Sequence, residues 1–307
     1  MSGARAFYDK VVLAQPTTLP ATDRHDQAAH LWSREEQEAV TLALASGRPL
    51  LVRGEAGSGK SQLGRAIAAL LETELLEEII HARFEATDIL YRVDTLARLA
   101  DAESKKDIQD WTPYIHHGAY WEACDQANAG KRVVLLIDEI DKADSDVPNA
   151  LLDVLGNRSF SVPYTKQVVK AAPAHLPLVI FTTNEDRELP PAFVRRCAVL
   201  NQNPPDRTQA PFNDWLIRRG QAHRYCRVND GIRTAAADMV WQDRQYAVNA
   251  GYPPVGLAEY IDLLRALHDL APGDEDQQAK WLKELRAYAL IKNRDQDQQR
   301  HRQDAQA

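Results

Sequence analysis

The chain has little cysteine, no run of apolar residues long enough for a bilayer, and no excess of positive charge. Its three cysteines (Cys124, Cys197, Cys226) are odd in number and show no C-x-x-C spacing. That argues against a disulfide scaffold or a zinc site and suits a reducing compartment. The N-terminus has no signal-type apolar stretch, so a soluble, cytoplasmic protein with no membrane insertion is expected. A formal net charge of -7 and a pI near 5.7 disfavour a surface built mainly for nucleic-acid phosphates. With 307 residues there is enough chain for one large core and a smaller second domain.

Residues 54 to 61 read Gly54-Glu55-Ala56-Gly57-Ser58-Gly59-Lys60-Ser61, the G-x-x-x-x-G-K-[ST] pattern of a phosphate-binding loop. Glycines are needed because backbone N-H groups must approach phosphate oxygens where side chains would intrude. Lys60 is then expected at the β- and γ-phosphates and Ser61 on Mg²⁺, with the cofactor contacts running from Gly54 to Gln62. The flanks agree. Pro49-Leu50-Leu51-Val52-Arg53 reads as a buried strand, and Leu63, Ile67, Leu70 and Leu71 recur at helical spacing. Strand, glycine loop and helix in that order deliver an anion to a helix N-terminus.

Val133-Val134-Leu135-Leu136-Ile137 reads as a strand buried on both faces, ending in Asp138 and Glu139. Carboxylates at the C-terminal end of such a strand stand where open α/β sheets bind ligands. Asp138 is the candidate for the Mg²⁺ shell, and Glu139 for polarising the attacking water. Leu178 to Thr183 is another buried strand and ends in Asn184. Ser33 and Glu36 form a capping box before a helix that stops at Gly47. Ile79 to Arg83 is expected as a second strand, residues 87 to 130 as mostly helical, and residues 158 to 171 as a hairpin. The aromatic cluster between Trp111 and Trp121 is expected to pack under a loop. His116 and His117 lack a spaced third ligand and are not read as a metal site.

These motifs together resemble those of AAA+ ATPases, and Gly47-Arg48-Pro49-Leu50-Leu51-Val52-Arg53-Gly54-Glu55 resembles the MoxR-like branch. The resemblance implies an α/β P-loop NTPase with a parallel sheet of about five strands in the order 5-1-4-3-2, followed by a helical lid. It implies ATP and Mg²⁺ as cofactors, a homo-oligomeric ring, usually of six, and a protein substrate or adaptor. It assigns Asn184 to the sensor-1 position, and Leu189 to Cys197 resembles the arginine-finger helix, with Arg195 and Arg196 as candidates. The expected domains are an N-terminal arm or linker at 1–30, the nucleotide-binding domain at 31–203, the lid at 204–291 and a disordered tail at 292–307.

Three departures stand out. No arginine lies in Tyr252-Pro253-Pro254-Val255-Gly256-Leu257, near the family's sensor-2 position, which leaves Arg265 as the one substitute considered. Asp141 stands where MoxR-like chains commonly have asparagine, and Glu185 where proline is usual. The function expected is an ATP-driven remodeller of a protein partner. The alternatives are a nucleic-acid motor subunit similar to McrB-type proteins, or a slow nucleotide-dependent assembly switch.

Overall fold

A computed structural model describes residues 3–205 and 207–292. They divide into two compact units. One holds the described residues of Met1–Thr17, Trp32–Glu55 and Lys60–Gln202, the other those of Thr18–Leu31, Ala56–Gly59 and Asn203–Ala307.

The chain opens with α1 (Gly3–Lys10), then β1 (Pro16–Leu19) and β2 (Ala28–Leu31), which pair with each other. Where proline punctuation between 1 and 30 suggests an extended arm, α1 instead packs on α2 (Arg34–Ser46). The reason is apolar anchoring: Phe7 is fully buried and meets Trp32 edge to face at 5.5 Å. In α2 the Ser33 hydroxyl accepts from the Glu36 N-H and the Glu36 carboxylate accepts from the Ser33 N-H, with left-handed Gly47 at the C-cap. Both ends lie where the capping residues put them.

β3 (Leu50–Arg53), α3 (Lys60–Leu71) and β4 (Leu75–Ile79) follow. The second strand therefore ends where the sequence suggested it would begin. Glu77 and Glu78 break its apolar pattern, and as the last strand of the sheet it needs no two-sided apolar run. Residues 80–83 lead into a turn in which the Phe84 N-H donates to the His81 carbonyl.

Between 87 and 130 the structure is less helical than expected. β5 (Tyr91–Val93) and β6 (Ile115–His117) pair antiparallel around α4 (Thr95–Glu103), before α5 (Ala119–Asn128). Leu96 and Leu99 do lie on a helix, but α4 buries no residue. The aromatic segment packs internally: Trp111 lies 4.6 Å from the Tyr164 ring, and Tyr120 and Trp121 are buried beside Phe160.

β7 (Val134–Asp138), α6 (Asp146–Asn157), the hairpin β8 (Ser159–Val162) and β9 (Gln167–Lys170), β10 (Leu178–Thr183), α7 (Pro191–Val194) and β11 (Ala198–Asn201) complete the unit. The central sheet is wholly parallel, in the order β11-β3-β10-β7-β4. Numbering its strands along the chain gives 5-1-4-3-2, the order expected. In register, Ile180 pairs with Leu50 on one side and Leu136 on the other, all fully or almost fully buried. This placement brings the ends of β3, β10 and β7 side by side.

The second unit is helical: α8 (Gln209–Ala222), α9 (Asp230–Asn249), α10 (Leu257–Leu270) and α11 (Glu275–Ala289). Its core gathers Phe212, Leu216, Val240, Tyr260, Leu264, Leu267 and Leu282. The twenty-residue α9 is invisible to a search for leucine spacing because its buried face is built from Ile232, Ala236, Ala237 and Val240 with Asp243 and Arg244. Tyr288, near the end of α11, is 82% exposed. The expected disordered tail lies, apart from Lys292, outside the described residues. Among the described residues no helix is long and apolar enough to cross a membrane.

Candidate active site

Three adjacent parallel strands deliver the candidate residues. β3 leads into Gly54, β7 ends on Asp138 with Glu139 next, and β10 ends on Thr183 with Asn184 next. Within the phosphate-loop sequence, Gly57 and Gly59 have φ of +72° and +97°. At Gly57 any Cβ would also stand 2.9 Å from the Cβ of Ala258, a residue in the first turn of α10, so this position is closed to side chains twice over.

Lys60 is the first residue of α3 and is 6% exposed. Its ammonium donates to the carbonyls of Gly54 at 2.8 Å and Glu55 at 2.6 Å. Burial pushes the Lys60 pKa down, and Asp138, Asp141, Glu139 and Glu55 oppose that shift. An ammonium held by backbone carbonyls, with no carboxylate among its hydrogen-bond partners, is a donor that phosphate oxygens can take over.

The Ser61 hydroxyl lies 2.9 and 2.8 Å from the two Asp138 carboxylate oxygens. Thr182, fully buried, donates from Oγ1 to Asp138 Oδ1 and accepts from the Glu139 N-H at 2.9 Å. Asp141 is 1% exposed; its Oδ2 accepts from the Asp186 N-H at 2.9 Å, and its Oδ1 has no hydrogen-bond partner. A serine hydroxyl and an aspartate already oriented by a threonine are oxygen donors of the kind that suits a hard divalent cation. Magnesium bound by Ser61 and Asp138 would neutralise charge on phosphate oxygens.

Glu139 adopts a left-handed backbone, φ 61°, rare for a residue with a Cβ. Its carboxylate is ion-paired with Lys142, and the Asn184 amide lies at 3.5 Å. The hydrogen bond to Glu139 raises the Lys142 pKa. Arg195, the C-cap of α7, and Arg196 after it are both exposed. Arg195 lines a pocket of about 530 Å³ together with Arg53, Thr183 and Glu185. Arg196 donates to the Ala192 carbonyl of its own helix at 3.2 Å. Arg265 is occupied within the second unit, donating to the Tyr225 hydroxyl at 3.2 Å and the Gln27 carbonyl at 2.8 Å.

The family model for the AAA domain of the dynein-related subfamily matches residues 49–197, just under half of the chain. Of the site residues described above, all but Ala258 and Arg265 fall inside the matched segment. Among solved structures, mutants of RuvB from Thermotoga maritima align with the chain. One shows 15% identity over 82% of this chain and 67% of its own, with a TM-score of 0.44. A second shows 16% identity over 82% and 67%, at 0.45, and a third 17% over 82% and 68%, also at 0.45. No curated protein matches the chain.

The motifs singled out Lys60, Ser61, Asp138, Glu139 and Asn184, and the fold brings Ser61 to Asp138 and Asn184 to Glu139. Thr182 and Lys142 were not singled out. The signal for Thr182 was there: a hydroxyl residue inside an otherwise apolar strand, Leu178-Val179-Ile180-Phe181-Thr182-Thr183, must find a partner once buried. Lys142 gives no such signal, since a lysine three residues after a glutamate is ordinary.

Proposed function

We propose that the chain is an ATP-dependent, ring-forming remodeller of the MoxR-like kind, working in the cytoplasm, which couples Mg-ATP hydrolysis to conformational work on a protein partner. The observation that carries this reading is the pairing of Ser61 with Asp138 and of Glu139 with Asn184 at the ends of neighbouring strands. Phosphoryl transfer needs little from a protein beyond positioning and charge, and these groups supply both. Lys60 faces the β- and γ-phosphates, and Ser61 and Asp138 hold the metal. Glu139 orients water for in-line attack on the γ-phosphorus and takes its proton, and Asn184 fixes the carboxylate or the water by a hydrogen bond. The bond to the bridging oxygen breaks and ADP and phosphate leave. The ion pair with Lys142 must loosen before Glu139 can act as a base.

Arg195 or Arg196 completes the site of a neighbouring copy. An arginine supplied in trans contributes ~10³-fold or more to phosphoryl transfer. Activity per subunit should therefore rise with protein concentration, and Arg195→Ala and Arg196→Ala identify which one acts. The inactive arginine variant mixed with Glu139→Gln should regain activity, because some interfaces pair an intact base with an intact arginine. If mixed rings form and recover nothing, the shared site is wrong. Steep, salt-sensitive stimulation by DNA or RNA would favour the nucleic-acid motor instead. Turnover that stays slow with every partner and at full assembly would favour the switch.

A further inference from the structure

A second pocket, of about 230 Å³, lies at the other end of the central sheet. Arg48 lies two residues before β3, Arg132 two residues before β7, and Leu176 two residues before β10, and all three line it. It is thus separated from the proposed nucleotide residues by the length of those strands, about 13–20 Å at ~3.3 Å per residue. Arg158 forms the remaining basic wall. It is the C-cap of α6 with φ 55°, a left-handed conformation that is strained for a non-glycine residue. That conformation turns its guanidinium onto Gly47, where a Cβ would stand 2.9 Å from Nη2.

Three arginines are thus among the residues that line a pocket with no aspartate or glutamate in its wall. Among the described residues, none of the three makes an ion pair or a side-chain hydrogen bond. Burial is the sole cause that lowers the Arg132 pKa; no carboxylate is near enough to raise it. The C-terminus of α2 offers a partial negative charge of about one half, which one arginine would more than satisfy. In a chain of net charge -7, three uncompensated cations at one spot are a local inversion of sign.

We propose that this pocket binds a small multivalent oxyanion of the phosphate class, at a site separate from the glycine loop. Arginine presents a planar fork that matches phosphate oxygens in pairs, and several forks on one anion need no side chain to lose its charge. At about 230 Å³ the space accepts inorganic phosphate or pyrophosphate and falls below the ~300–1,000 Å³ of pockets that take drug-sized ligands. Leu176 and Pro173 supply an apolar wall, which lowers the local dielectric and strengthens each charge-assisted bond.

The test is titration calorimetry of magnesium-free pyrophosphate into the full chain carrying Lys60→Ala, which disables the other anion site. One pyrophosphate per chain should bind, more weakly as salt rises. Adding Arg48→Gln and Arg158→Gln should weaken it about tenfold or more, the scale of a lost bond to a charged group. Arg48 is exposed, so Arg48→Glu alone serves as a second variant that leaves the core untouched and should abolish binding. No heat at millimolar pyrophosphate, or an affinity indifferent to both arginine changes, overturns the proposal. So does a glutamate-rich peptide that binds through these arginines when pyrophosphate does not, since the site would then belong to a protein carboxylate.

Discussion

At the strand ends of the first unit Lys60, Asp141, Thr182 and Thr183 are shut away from solvent, and in the second unit His223, Asp243, Arg244 and Gln278 are equally hidden. In the second set His223, Asp243 and Gln278 bond to groups of their own unit. Gln278 donates to the carbonyls of Arg227 and Ala271 and accepts from the Asn229 N-H, and Asp243 takes both bonds of the Arg286 fork at 2.9 Å. The first set is not closed. Asp141 keeps an unmatched oxygen, and Lys60 settles for backbone carbonyls while carboxylates pull on it from a distance. Burying polar groups is costly in both places; the partners of His223, Asp243 and Gln278 suit those three to holding helices together, while the unmatched oxygen of Asp141 and the carbonyl-held ammonium of Lys60 suit the first set to a charged ligand.

That contrast predicts opposite readouts. The largest effect is expected from Glu139→Gln: hydrolysis falls by ~10² or more while Mg-ATP still binds and the unfolding midpoint hardly moves. Parental turnover would remove Glu139 from the chemistry, and a large stability loss would place it with the structural set.

Next comes Gln278→Leu, which strands two carbonyls and one N-H in a core. It should cost about 2 kcal/mol of unfolding free energy, measured with denaturant. A cost near zero would mean that the helical unit does not depend on its polar interior.

Thr182→Val keeps shape but leaves Asp138 without its hydroxyl partner. The Mg²⁺ concentration for half-maximal activity should rise about tenfold, the usual scale for losing a group that orients a ligand. An unchanged Mg²⁺ requirement would show that Asp138 is held by Ser61 alone.

The smallest effect concerns His223. Its Nε2 accepts the Ala29 N-H at 3.3 Å while Nδ1 donates to the Arg219 carbonyl at 2.8 Å, so the ring is neutral, and burial pushes its pKa below 6.5. As pH falls past about 6.5 the unfolded chain takes up a proton that the folded ring resists. Stability is therefore full above that pH and drains away below it, until the folded ring titrates. Between pH 6.5 and 5.5 the slope should be under ~1 kcal/mol and should disappear in His223→Gln. A slope that survives the substitution assigns it to other groups.

The strand ends were readable in advance because P-loop chemistry demands fixed residues at fixed spacing, whereas the sheet order was expected from the resemblance to AAA+ ATPases alone. Gly54 to Ser61, Asp138 and Asn184 announce the strands that carry them. Where chemistry makes no such demand, the signal thins. β4 alternates nothing and carries Glu77 and Glu78, α9 hides its buried face in alanines, and Phe7 is one aromatic in a stretch broken by prolines. The Lys142 ion pair depends on how the chain turns after β7, which local sequence does not specify. The anion pocket is assembled from residues 48, 132 and 158, which no motif connects.

The two glutamates that disguise β4 also bear on how the protein behaves at high concentration. β4 ends the sheet, and an end strand with free N-H and C=O groups can template pairing with the next chain. Leu75-Leu76-Glu77-Glu78-Ile79 would be an aggregation-prone segment if its centre were apolar. Charge at that centre, with Arg92 held on Glu78 at 3.0 Å, makes edge-to-edge stacking of like carboxylates unfavourable. If the chain works in the ring proposed above, copies that meet face to face are thereby guarded against meeting edge to edge.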